Sequence, residues 1–203
     1  MKLSALVLGL VSSASLFGGC PDTQSVFDDY VDRSEPFRVV PVTGECEGPI
    51  DLSGRFLLGA AVAVDPSKPI RFEADFEVDG DSLTVGIRAI AVAGNVSGTP
   101  DGEPVGERYE AVGTIDAEDG SFTLDFGAIV VVAAGNPILP ADVTADLVLD
   151  GCTASETFSC GVLSGAITSP AELSLEGSSW AVTRWDTGVA LETLTPVTGC
   201  PSE

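Results

Sequence analysis

The chain contains no histidine, and its only methionine is Met1. Without imidazole there is no Ser–His–Asp or Cys–His couple to activate a nucleophile, and no histidine to ligate a metal. Basic residues are scarce: 9 Lys plus Arg face 31 Asp plus Glu, a net charge of −22. Lys68 is the only lysine after Lys2 and lies between Pro66 and Pro69, a turn that suits no Ser–Lys mechanism. So acidic a surface repels phosphate backbones, which excludes nucleic acid as a partner and disfavours anionic headgroups. Long apolar runs are missing too, and no helical period lasts beyond a turn or two. Carboxylates are plentiful, but those that can be placed fall on solvent faces or in turns. A hydrolase built on two of them is therefore only a distant alternative. The residues support no catalytic set, no cofactor and no metal site, and the chain is read as a non-enzyme.

The first twenty residues are MKLSALVLGLVSSASLFGGC. Lys2 supplies a positive start and Leu3 to Val11 a short apolar core, too short to span a bilayer, which takes about 20 residues. Leu16-Phe17-Gly18-Gly19 then leads into Cys20. This segment resembles the signal peptide of bacterial lipoproteins, whose lipobox sets an apolar residue and two small residues before the modified cysteine. Phe17 stands where that family usually has Leu. The resemblance covers residues 1–20 only. It implies cleavage before Cys20, fatty-acyl chains such as palmitate on that cysteine, and a lipid-anchored protein of the cell envelope. Pro21 replaces the Asp that often marks inner-membrane retention, which points to the outer membrane, facing the periplasm or the cell surface. Loss of Lys2 would leave the rest one charge more negative.

The cysteine count agrees. Cys20, Cys46, Cys152, Cys160 and Cys200 make five, and lipidating Cys20 leaves four for an oxidising compartment. Cys152 and Cys160 flank a short polar stretch and are expected to staple one hairpin. That leaves Cys46 to pair with Cys200, joining the two ends of the folded part.

Three stretches follow: a signal peptide at 1–19, the lipidated Cys20 with an acidic, proline-containing tether to residue 45, and a single domain over 46–203. The tether reaches roughly 80 Å if extended and about 25–30 Å as a coil. Docking of Phe37-Arg38-Val39-Val40 as an edge strand is the alternative for part of it.

The domain reads as all-β. Phe72, Ala74, Phe76 and Val78 alternate with Arg71, Glu73, Asp75 and Glu77, the period of a half-buried antiparallel strand. Asp79-Gly80-Asp81 turns the chain, and Leu83, Val85, Ile87 and Ala89 continue on one face. A second hairpin is expected from Tyr109, Ala111, Gly113 and Ile115, through Glu118-Asp119-Gly120, to Phe122, Leu124 and Phe126. Further strands are expected over 55–64, 143–149, 161–167 and 179–185, with breaks at 94–105 and 136–140. About eight strands in a meander suggest a closed up-and-down barrel of lipocalin type, with a sandwich as the alternative. In a barrel of even strand number the first and last strands are neighbours.

Asp79-Gly80-Asp81 and Asp116-Ala117-Glu118-Asp119-Gly120 are read as turns; neither carries the spacing of a calcium-binding EF-hand loop. Trp180 and Trp185 are separated by an odd offset, so they point to opposite faces and one packs the core. Small inward residues, Ala74, Ala89, Ala91 and Ala111, are expected to leave interior space. The functional reading is a non-catalytic β domain that binds or supports another envelope component, with a carrier of a small apolar ligand as the alternative. A lipocalin's Gly-x-Trp is absent; Gly54-Arg55-Phe56 occupies that region.

Overall fold

The computed structural model describes residues 45–46, 48–186, 188–191 and 194–201. The expected signal peptide, Cys20, most of the tether and the Phe37–Val40 alternative lie outside the described residues.

Nine strands form one antiparallel sheet: β1 (Gly54–Ala61), β2 (Ile70–Asp79), β3 (Ser82–Ile90), β4 (Pro104–Thr114), β5 (Ser121–Val131), β6 (Val143–Ser155), β7 (Phe158–Ser169), β8 (Leu173–Ser174) and β9 (Ser178–Arg184). The neighbour order is β4-β3-β2-β1-β9-β7-β6-β5, with the two-residue β8 added to β7. Read round the sheet this is chain order, so the fold is an up-and-down barrel of eight long strands. First and last do meet: Phe56 pairs with Arg184 and Ala60 with Trp180. The sheet curls almost shut and leaves one unsealed seam, between β4 and β5.

That seam corrects the second expected hairpin. β4 ladders onto β3 and β5 onto β6, but the two strands do not ladder with each other. Backbone-to-backbone bonds hold their turn, from Asp116 N–H to Ser121 O and from Gly120 N–H to Asp116 O. Farther along, the Tyr109 hydroxyl accepts the Val130 N–H at 2.9 Å. The alternation of both strands reflects a shared interior, which every strand of a barrel faces; it does not require the two to pair. A bulge at Asp125/Gly127 bends β5 here, with Gly127 at φ 60°.

Register explains the core. Phe56 lies opposite Ala74 and Phe72 opposite Ala89, so each large ring is matched by a small partner across the ladder. Phe56 and Phe76 rings pack at 5.1 Å. At one end of the barrel Phe56, Phe76, Phe122 and Trp180 fill the interior, and Leu52, fully buried, caps them. Trp180 lies over Gly151, where its ring leaves no room for a Cβ. Its Nε1 donates to Asp150 O and Val162 O at 3.2 and 3.1 Å, as a buried indole requires. Trp185 sits on the outside, packed against Leu57, Ile90 and Leu191.

The outer face is charged. Asp75 takes Arg55 at 3.3 Å and Arg108 at 2.8 Å, and Arg108 lies flat over Gly86. A polar exterior around an apolar interior is the inverse of an outer-membrane barrel, which turns an apolar band to lipid.

The disulfide pairing differs from the expected one. Cys46 bonds Cys152, and Cys160 bonds Cys200. β6 and β7 run farther than the sequence pattern suggests, so Cys152 and Cys160 lie within the ladder, directly opposite each other. Strand pairing already holds them. Each instead anchors a terminal segment that crosses the outside of the barrel. Gly48 O accepts the Thr153 hydroxyl, and Thr198 O accepts the Ser179 hydroxyl at 2.7 Å. The second crossing needs Gly59, because a Cβ there would strike the carbonyl of Val197.

Candidate functional site

The end opposite Trp180 is unfilled. A cavity of about 50 Å³ lies among the later residues of β1, β3, β5 and β7 and the earlier residues of β2 and β6. Its walls are entirely apolar, among them Leu58, Ala60, Phe72, Ile129, Ala145, Leu163 and Leu175. An outer chamber of about 130 Å³ continues it, lined by Val64, Ile138, Leu139, Pro170, Ala171 and Leu173. Val62, Ile70, Val143 and Ile167 border both spaces, which makes them one apolar cup. A bound water wants two to four polar partners, and the deep part provides none.

The four alanines expected to leave space do not line it. Ala74, Ala89 and Ala111 are buried in the core cluster and Ala91 is fully buried, but none of the four is on the cup's wall. Ala60 and Ala145, near the strand ends, border the cavity instead.

Three loops form the lip. Residues 132–142 are held by Asn136, only 2% exposed, which among the described residues is the sole polar one lining the outer chamber. Its Oδ1 accepts the N–H groups of Ile138 and Leu139 at 3.1 and 3.2 Å, and its Nδ2 donates to Ala141 O at 3.0 Å. Asn95 Nδ2 donates to Asn136 O at 2.6 Å and ties in the neighbouring loop. The second lip is β8, which folds back on β7 so that Leu173 lies beside Ile167 while Leu175 is buried below. That return needs Gly165, at φ 108° with Asp146 O pressed against it. The third is the turn after β1. Val64, Leu139 and Leu173 stand 59%, 45% and 46% exposed around the opening. Apolar side chains left in water on three separate loops, around an apolar hole, form a site and not scattered surface residues.

Charges around the opening are unequal. Lys68 pairs with Asp65 at 3.3 Å. The Ser67 hydroxyl and then Lys68 hold the Asp65 carboxyl below the usual carboxylate value. Arg71 binds Asp101 at 2.6 Å and also donates to Ala91 O at 2.8 Å. Partial burial works against the Asp101 charge, but the Arg71 contacts outweigh it and the carboxyl lies below its ordinary value. Asp142 accepts the Ala133 N–H at 2.7 Å, and Glu172 is exposed between Ala171 and Leu173.

The other singled-out residues lie elsewhere. Asp116 accepts the N–H groups of Glu118 and Asp119, and Asp119 accepts that of Ser121, so both carboxylates are engaged in their own turn. Asp79 and Asp81 bracket Gly80, at φ 65°, in the β2–β3 turn. All four disulfide cysteines lie away from the cup. Sequence reading missed the cup itself. The available signal was apolar residues placed beyond strand ends, Val64, Ile138-Leu139 and Leu173, where turn chemistry alone wants polar ones.

No family model matches the chain, and neither the curated proteins nor the solved structures include a match to it.

Proposed function

We propose that this chain is a lipid-anchored, non-catalytic binding protein of the bacterial cell envelope, whose barrel receives a small apolar ligand end-on. The observation that carries the ligand is the cup: apolar walls, one filled end, and an opening ringed by exposed Val64, Leu139 and Leu173. An empty apolar hole wastes dispersion contacts, and a ligand that fills it recovers them. Cys20 and its lipobox support the anchor, and the two disulfides suit an oxidising compartment outside the cytoplasm.

Two measurements test the two halves. Titration of the purified chain with decanol in a calorimeter should give saturable one-site binding, and absence of heat and of any chemical-shift change at the cup's leucines would reject the ligand reading. Mass spectrometry of the mature protein should find Cys20 first and carrying acyl mass; a different first residue would reject the anchor.

A further inference from the structure

Resting on the cup as the ligand site, the geometry points to the ligand's class: a single unbranched alkyl chain that carries a cationic head group. Size limits the chain. The deep cavity of about 50 Å³ and the chamber of about 130 Å³ are contiguous. Together they are comparable with the ~150 Å³ apolar cavity that takes one benzene. One chain tip enters; the paired chains of a phospholipid do not.

Polarity places the head. Among the described residues Asn136 is the only polar side chain on the wall, and its amide is already engaged with the backbone of Ile138, Leu139 and Ala141. A head group drawn inside would lose its water with nothing in return, so it stays at the lip.

Charge at the lip then selects it. Lys68 and Arg71, which flank the chamber residue Ile70 in sequence, are committed, Lys68 to Asp65 and Arg71 to Asp101. Asp142 and Glu172, each next in sequence to residues that line the chamber, are exposed and have no ion-pair partner among the described residues. A carboxylate or phosphate head placed between them would meet two like charges. An ammonium head would meet two carboxylates, each contributing about fivefold in affinity at contact distance in water.

The test is calorimetric titration of the full chain with decyltrimethylammonium, decanol and decanoate below their micellar concentrations. At low ionic strength the cation should bind about 25-fold tighter than decanol and decanoate weaker by a similar factor, and about 1 M salt should bring the three together. Asp142→Asn combined with Glu172→Gln should equalise the three probes and leave decanol unchanged. Equal affinities at low salt, or decanoate binding tightest, would overturn the cationic ligand while leaving the cup intact. If none of the three binds, the cup reading falls with it. If decyltrimethylammonium still binds after Ala145→Leu fills the cavity, the ion is only coating an acidic surface, and the proposal is equally overturned.

Discussion

Cleaving the chain after Glu156 separates the two cysteines that the sequence pattern pairs and the structure does not. Glu156 is exposed at the tip of the β6–β7 hairpin, between Cys152 and Cys160. Digestion at glutamate, after unfolding in urea under non-reducing conditions with free thiols blocked, should release Cys152 joined to the Cys46 peptide. Cys160 should appear separately, joined to the Cys200 peptide. The two bridges differ in how much they constrain the unfolded chain. The bridges close sequence separations of 106 and 40 residues. In the chain-entropy model these are worth about 4.8 and 3.9 kcal/mol, whereas a Cys152–Cys160 staple would give about 2.5 and a Cys46–Cys200 bridge about 5.1. Replacing Cys46 and Cys152 together by alanine should therefore cost close to 5 kcal/mol in urea unfolding, and the Cys160/Cys200 double variant about 4. A fragment in which Cys152 and Cys160 remain linked after cleavage at Glu156 would refute the reasoning, because both terminal crossings would then lose their anchors.

The cup yields a second expectation. Ala145→Leu adds roughly three methylenes, worth up to about 2 kcal/mol if they occupy the cavity of 50 Å³. Its melting temperature should hold or rise while decanol binding disappears, and unchanged binding would contradict the assigned site. At the seam, Tyr109→Phe removes the acceptor of the Val130 N–H and should cost about 1–2 kcal/mol, with faster amide exchange at Val130. Unaltered exchange there would mean that the hydroxyl does not hold β4 to β5. The Arg71–Asp101 pair gives a pH dependence. Because the folded carboxyl lies below its ordinary value of 3.8, the stability it contributes is present above that pH and is lost as pH falls through the lower folded value. The stability difference between the native chain and Asp101→Asn should be constant near neutrality and shrink below about pH 4. A difference that grows on acidification would reverse the sign of the effect.

Local chemistry made several features legible beforehand. β2 and β3 follow from strict alternation, since period two forces Phe72, Ala74 and Phe76 to one face whatever the partner, and Asp79-Gly80-Asp81 can close only a tight turn. The opposite fates of Trp180 and Trp185 follow from the same parity. Barrel closure was legible in outline, because eight hairpin-linked strands bring the ends of the sheet together.

What the sequence by itself determined is thus the β architecture, the inward face of most strands, the charged exterior, and the want of any imidazole for catalysis. These depend on neighbours one or two residues apart. Only the tertiary structure decided where the seam falls, which cysteines meet, and which end of the barrel stays empty. The reason is that each depends on distant segments: on whether β4 approaches β5 closely enough to ladder, on where the chain near Cys46 and Cys200 crosses the outer face, and on how far four aromatic rings fill the interior before Ala60 and Ala145 leave it open.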